Sequence, residues 1–471
     1  MAHPITEVHT PNQEGHSRRL HVAVVGSGPA GFFAAASLLT AADASDGMDI
    51  AIDMVEMLPT PWGLVRSGVA PDHPKIKSVS AQFEKSAADP RLRFFGNIKV
   101  GEQVSAAELA ERYDAVIYAV GAQSDRALNI PGEELPGSVA AVDFVGWYNA
   151  HPHFEHMAPD LPRARAVVVG NGNVAVDVAR MLVTDPDVLA LTDIADHALE
   201  TLRSCGVQEV IIVGRRGPLQ AAFTTVELRE LGELEGVDVV VDPADLANIG
   251  EEDADAAGKI TKNNIKILRE YAGRAARPGH RRIVLRFFTS PIEIKGNDKV
   301  ESIVLGRNEL TADASGRVVA TDTGAREELP AALVVRAVGY RGVPIPGLPF
   351  DARTATIPNN GGRIEGRGNE YVAGWIKRGP SGVIGTNKKC SQGTVDTVLA
   401  DLADTSEAEL SDHGDDYGGE LSRWLASRQP QLITAAHWQA IDRFERQAGE
   451  LHGRPRAKVA SLSELLRIAH S

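Results

Sequence analysis

Two short stretches carry the residue types needed to hold a pyrophosphate. Gly26-Ser27-Gly28-Pro29-Ala30-Gly31 reads GxGxxG, and Gly170-Asn171-Gly172-Asn173-Val174-Ala175 reads GxGxxA. In such motifs the first glycine makes a tight turn. The second lets backbone N–H groups approach the phosphates, and the third small residue lets helix and strand pack closely. The residue at the end of the following strand then decides which nucleotide fits. After the first motif it is Glu56, which would accept hydrogen bonds from ribose hydroxyls and repel a 2′-phosphate, so this site suits FAD or NAD. After the second it is Arg215-Arg216, whose guanidinium groups match an NADP 2′-phosphate in charge and fork geometry. The alternatives are a glycine turn without ligand and, for the arginines, a solvated strand end. Two sites of opposite charge preference imply one retained and one exchanged dinucleotide, an arrangement that moves hydride between nicotinamide and flavin.

Each motif needs a strand before it and a helix after it. Residues 20–25 are a nearly continuous apolar run, as in a buried parallel strand, and residues 32–42 are rich in Ala and Leu. Further apolar runs lie at 50–55 and 115–120. A loop around residues 45–49 accounts for a glycine-to-acid spacing longer than the usual ~20 residues. The second unit has strands at 166–169 and 209–213 and a helix over 174–182, with an extra helix near 195–203 filling the long gap. Residues 332–338 read as a returning strand, while 283–288 and 300–305 alternate more loosely, as in smaller mixed strands. Dense Gly and Pro from 341 to 385 predict loops with close backbone approaches, around a short strand at 370–374. From residue 420 the pattern is helical, with Trp424, Leu425, Trp438 and Phe444 as inward anchors. The fold class is α/β.

The chain has 471 residues, more than the roughly 250–300 at which single cores stop growing, so two or three domains are expected. No run approaches the roughly 18 consecutive apolar residues of a membrane helix. A net charge of −14 disfavours nucleic-acid binding. The two cysteines, Cys205 and Cys390, form no CxxC, which excludes a dithiol of that kind and a cysteine-ligated iron–sulfur cluster and points to a reducing, cytoplasmic setting. Residues 1–19 are polar, without an apolar signal core, and read as a flexible tail.

Further blocks carry a resemblance. Val55-Glu56-Met57-Leu58-Pro59-Thr60-Pro61-Trp62-Gly63-Leu64-Val65-Arg66, then Gly68-Val69-Ala70-Pro71-Asp72-His73-Pro74, residues 169–174 and 213–223, and Trp375-Ile376-Lys377-Arg378-Gly379-Pro380 through Asn387 resemble the adrenodoxin reductase family with its bacterial ferredoxin–NADP reductases. The resemblance implies two Rossmann-like three-layer domains: a discontinuous FAD domain, residues 20–124 plus 340–471, with an NADP domain, residues 125–339, inserted into it. It implies FAD contacts at Gly26, Gly28, Ala30, Gly31, Glu56, Leu64, Val100, Trp375, Gly382, Val383 and Ile384. NADP contacts would fall on Arg126, Asn171, Gly172, Asn173, Val174, Arg215, Arg216 and Glu227, with Gly382 touching both. It also implies NADPH and a ferredoxin as partners, and a monomer. Residues 382–384 are expected to start a helix whose N–H groups face the flavin.

Hydride transfer from nicotinamide C4 to flavin N5 needs alignment rather than a protein acid or base. His73, in a turn-prone Asp-His-Pro loop, and Glu230, three residues past Glu227, are the candidates for steering nicotinamide or relaying protons. A structural histidine and a solvated glutamate are the alternative. Basic residues between 203 and 229, with Lys377, Arg378, Lys388 and Lys389, are candidates for docking an acidic ferredoxin. Two rival readings of the chain are the electron-input subunit of a glutamate synthase-like complex, which would carry cysteine clusters, and a non-catalytic FAD/NADP-binding sensor. A monooxygenase is a third.

Overall fold

The apolar run before the first glycine motif forms the strand Arg19–Val25, inaccessible to solvent from Val22 to Val24. In the computed structural model, which describes residues 19–45, 48–161, 165–404 and 416–471, this strand lies inside an eight-stranded sheet. From one edge the order is Asn359–Asn360, Arg363–Ile364, Glu370–Val372, Ala115–Tyr118, Arg19–Val25, Asp49–Val55, Leu92–Gly96 and Ile433–Thr434. The five strands from Glu370–Val372 to Leu92–Gly96 are parallel. They are covered on both faces, which explains their lack of polar alternation. Two apolar clusters, one on each face, close this layer.

The helix Pro29–Ala44 starts on Pro29, whose fixed φ suits the first helical position and whose missing N–H costs nothing there. It packs on the sheet and on the later helix Thr386–Asp404. The Phe32 ring stacks on Phe83 at 5.1 Å and meets Trp62 at 4.7 Å.

A second sheet of six strands runs in the order Ser138–Ala140, Leu333–Arg336, Arg165–Val169, Glu209–Val213, Arg281–Arg286, Val237–Val241, all parallel. Helices cover one face. The other is covered by a three-stranded antiparallel sheet, Thr289–Lys295, Ser302–Ala312 and Val318–Pro330, through Ile294, Ile303 and Leu305. The chain leaves the first sheet and returns to it at one place, where Ser124–Asp125 and Tyr340–Arg341 pair antiparallel.

Several expectations need correction. Residues 283–288 do not form a loose mixed strand: Arg281–Arg286 is an interior strand of the six-stranded sheet, its arginines at the exposed ends masking the apolar run Ile283–Val284–Leu285. Residues 382–384 do not begin a helix: the helix starts at Thr386, and Gly382 has φ +78°, outside helical space. Phe444 is 42% exposed, on the outer face of the helix Ala435–Glu450, and Trp424 is only half-buried beneath Arg112. The long strand Val318–Pro330 escaped notice because its sequence is largely polar. The tail expected over residues 1–19 lies outside the described residues, except that Arg19 opens the first strand.

Candidate active site: two glycine loops and a buried ion cluster

The first glycine loop links the strand Arg19–Val25 to the helix Pro29–Ala44. Its Gly26 N–H donates to Val55 O at 2.8 Å, which ties the turn to the neighbouring strand. Gly31 is forced by packing: a Cβ there would lie 1.9 Å from Gly26 O. Glu56, 7% exposed, closes the loop from below. Its carboxylate accepts from Ser27 N–H at 2.9 Å, Ser27 Oγ–H at 2.7 Å and Leu58 N–H at 3.0 Å. Burial pushes this carboxyl above its ordinary range, opposed by the donors from Ser27 and Leu58. Glu56 therefore holds the loop itself, a task the sequence did not suggest.

Of the other residues expected here, Ala30 is buried, and Leu64 and Val100 are half-buried. Trp375 is half-buried, its ring 5.5 Å from that of Tyr340 and its Nε1–H donating to Ser381 O at 3.2 Å. Gly382 and Val383 are exposed and Ile384 is half-buried, in the turn before Thr386.

The second loop, Gly170 to Asn173, joins the strand Arg165–Val169 to the helix Asn173–Val183. Gly170 N–H donates to Val213 O at 2.9 Å. The Asn173 carboxamide oxygen accepts from Thr224 N–H at 2.8 Å, and Asn171 O accepts from Ala222 N–H at 3.0 Å. These bonds draw the segment after Arg215-Arg216 across the loop. Arg215 is exposed and Arg216 half-buried at the end of the strand Glu209–Val213. Gly172 is half-buried in the loop and Val174 half-buried in the first turn of the helix, and Arg126 is exposed beside the chain crossing, its N–H donating to Gly339 O at 3.1 Å.

Between the two sheets lies a cluster of ions. Pro74 disfavours helical backbone at His73 (φ −108°, ψ 61°) and starts the short helix Pro74–Lys77. On the other side, the helix Thr225–Leu231 is capped by the Thr224 hydroxyl and presents Glu227 and Glu230, three residues apart, on one face. His73 Nε2 is 2.9 Å from Glu230 Oε2 and 3.7 Å from Glu227 Oε2. Arg180, 2% exposed, anchors the group. It donates to Asp72 at 2.6 and 3.1 Å, Asp177 at 2.8 Å and Glu227 at 3.4 Å. Burial opposes its charge, but Asp177, Asp72 and Glu227 outweigh this and keep it protonated. Burial raises the carboxyls of Asp177 and, reinforced by the Asp177 charge, of Glu227. His73, Asp177 and Glu227 bring ligand atoms within 4.8 Å of one another, with the guanidinium bonded to both carboxylates. Asp72, Asp177 and Arg180 were missed. Asp177 and Arg180 gave only an i,i+3 pair, and Asp72 lies 108 residues from Arg180.

The seam continues past this cluster. Asp193 accepts from Lys77 at 2.5 Å and from Lys458 at 3.1 Å. Arg454 donates to Thr192 O, Ile194 O and the Asp196 carboxylate. Of the basic residues considered for docking, Lys377 turns inward, donating to Gly361 O and Thr394 Oγ1, and Arg378 is tied to Ser381 and Asn387. Lys388 and Lys389 are exposed.

Two parallel sheets, each with a glycine loop at the end of a buried strand, define a pyridine-nucleotide oxidoreductase fold, and residues 20–253 match the family described as pyridine nucleotide-disulphide oxidoreductase. The chain is 72% identical over 452 residues to the NADPH-ferredoxin reductase FprA of Mycobacterium tuberculosis, covering 96% of this chain and 99% of that one. It is 37% identical over 474 residues to the mitochondrial NADPH:adrenodoxin oxidoreductase of Arabidopsis thaliana, covering 96% of each. The solved structure of Mycobacterium tuberculosis FprA in complex with NADPH superposes with a TM-score of 0.95 at 71% identity, covering 96% of this chain and all of that one. The chain belongs to this NADPH-ferredoxin reductase family, which the adrenodoxin reductases resemble.

Proposed function

We propose that the protein is an FAD-dependent NADPH–ferredoxin reductase. The observation that carries this reading is the pairing of two glycine loops whose next strands end in opposite charge, Glu56 against Arg215-Arg216, on either side of one ion cluster. FAD, when bound, accepts a hydride and releases its electrons one at a time, which lets a two-electron donor serve a one-electron iron–sulfur acceptor.

The residues fit both nucleotides. N–H groups at the start of the helix Pro29–Ala44, which has no acid in its first turn, would meet the FAD pyrophosphate. Glu56 would take the ribose. Those of Asn171, Gly172, Asn173 and Val174 would meet the NADP pyrophosphate, with Arg215 and Arg216 on the 2′-phosphate and Arg126 beside them. Leu64, Val100, Trp375, Gly382, Val383 and Ile384 would line the flavin. His73, Glu227 and Glu230, held by Arg180, would orient the nicotinamide, and His73 and Glu230 can pass a proton between Nε2 and Oε2 over 2.9 Å. Residues 20–124 with 340–471 would form the FAD part and 125–339 the NADP part. The low cysteine content of the chain supports a cytoplasmic setting, and the family resemblance supports a monomer. Among the described residues no helix is long and apolar enough to cross a membrane.

Lys388 and Lys389 are exposed just past the turn at residues 382–384, which would face the flavin, and an acidic ferredoxin would dock there. Steady-state assays with ferredoxin and with a small dye test this reading. NADPH should reduce both through the wild type, and Lys388→Glu/Lys389→Glu should lose ferredoxin reduction while keeping dye reduction. Failure of the wild type with ferredoxin would overturn the function; equal loss of both activities in the variant would remove the docking role.

A further inference from the structure

The turn bearing Arg215 and Arg216 has three consecutive carbonyls committed to donors. Gly214 O accepts from Thr289 N–H at 2.9 Å, and Arg216 O from Phe288 N–H at 3.0 Å. Arg215 O, between them, accepts from the Asn308 side-chain amide at 2.9 Å. Thr289 and Asn308 belong to the three-stranded sheet that covers the six-stranded one, and Phe288 immediately precedes its first strand.

Asn308 is built in rather than incidental. It is 6% exposed and sits where the pairing of Ser302–Ala312 with Val318–Pro330 shifts register. Its own N–H donates to Phe288 O at 2.7 Å, and its Nδ2 also donates to Ser290 Oγ at 2.8 Å. Phe288 is held at φ +52°, a conformation that costs an aromatic residue energy and persists only where surroundings enforce it. Its ring fills the space beside Gly217, where a Cβ would come within 2.7 Å of ring carbons. The sheet thus clamps the turn from both ends.

We propose that Asn308 is a positioning residue for dinucleotide specificity, fixing the Arg215 peptide so that both guanidinium groups meet the 2′-phosphate of the adenosine ribose from a set backbone. This rests on the reading of Arg215 and Arg216 as the 2′-phosphate site. Long arginine side chains lose conformational freedom on binding, and a preorganised turn lowers that cost. Two of the three donors are main-chain and survive substitution. The amide of Asn308 is the side-chain donor, so it is where the clamp can be released without touching the arginines.

The test is calorimetry on the FAD-loaded protein with 2′,5′-ADP and with ADP-ribose, which lacks the 2′-phosphate. Asn308→Leu should bind 2′,5′-ADP about tenfold more weakly, equivalent to about 1.4 kcal/mol, with ADP-ribose affinity unchanged. KM for NADPH should rise with kcat unchanged, and the NADH constants should stay as in wild type. Ser290→Ala, which removes the other acceptor of Asn308, should leave both affinities intact. Wild-type 2′,5′-ADP affinity in Asn308→Leu, or equal loss of both ligands, overturns the proposal. Arg215→Ala/Arg216→Ala separates the two levels: if it still prefers 2′,5′-ADP, the 2′-phosphate reading itself falls. Should the leucine variant fail to fold, Asn308→Ser gives the same readings with a small polar residue in place.

Discussion

Replacing Asp193 with asparagine should loosen the seam between the two sheets. Asp193 accepts from Lys77 at 2.5 Å and Lys458 at 3.1 Å. Lys458 has a side chain 1% exposed, and its ammonium also donates to Arg66 O and Asn149 Oδ1, both at 3.0 Å. Burial lowers the pKa of both lysines, so each depends on this carboxylate to stay charged. Burial also works against the Asp193 charge, but Lys458 and Lys77 hold its pKa down at about 2. Removing one partner of a buried pair costs about 3–5 kcal/mol, because the remaining charge is left without compensation. At about 2–4 °C per kcal/mol for a large domain, Asp193→Asn should melt roughly 6–20 °C below wild type at neutral pH. The sign with pH follows from the depressed value. The stabilisation is present above the unfolded pKa of about 3.9 and fades as pH falls toward 2, so the two melting curves should converge on the acid side. Adding Lys458→Met should recover part of the loss, since one stranded ammonium is then gone, and the double-mutant cycle reads their coupling. Thermal melts followed by tryptophan fluorescence suffice. An Asp193→Asn protein that melts with the wild type at pH 7, or strictly additive variants, would refute the reasoning.

Gly31→Ala should abolish stable FAD binding, because the added Cβ would lie 1.9 Å from Gly26 O and the backbone must move; flavin absorbance per protein after purification checks this, and full occupancy would contradict it. Glu227 has a pKa raised by burial, so its contribution to stability is full below the unfolded pKa of about 4.3 and is lost as pH rises through the folded value. Glu227→Gln should therefore match wild type near pH 4 and melt higher at pH 8. A variant that melts lower at pH 8 would show that the Arg180 contact outweighs the burial penalty.

The glycine loops were legible because their chemistry is local: strand, turn, helix and the charge on the next strand all fall within one stretch of chain. Glu56 and Arg215-Arg216 were found by that rule. Of the Arg180 cluster only His73, Glu227 and Glu230 were legible; Asp72, Asp177 and Arg180 were not, since the cluster comes from three distant segments and its geometry exists only once the two sheets face each other. Asp193 and Lys458 are separated by more than half of the chain and gave no pattern at all. The helix expected at residues 382–384 failed because Gly382 adopts positive φ and delays the helix to Thr386. The strand Val318–Pro330 is exposed on both faces from Thr321 to Glu328, so its apolar signal is weak, and Asn308 stood among its neighbours without any mark of its role.

The most direct measurement is anaerobic stopped-flow flavin reduction by NADPH and by NADH, in the wild type and in Arg215→Ala/Arg216→Ala, followed by ferredoxin. The account predicts that NADPH bleaches the flavin absorbance of the wild type faster than NADH, that the variant keeps reduction by NADH but loses the advantage of NADPH, and that ferredoxin restores the oxidised spectrum. Failure of both nucleotides to bleach the flavin would contradict it and leave a protein that binds dinucleotides without turning them over.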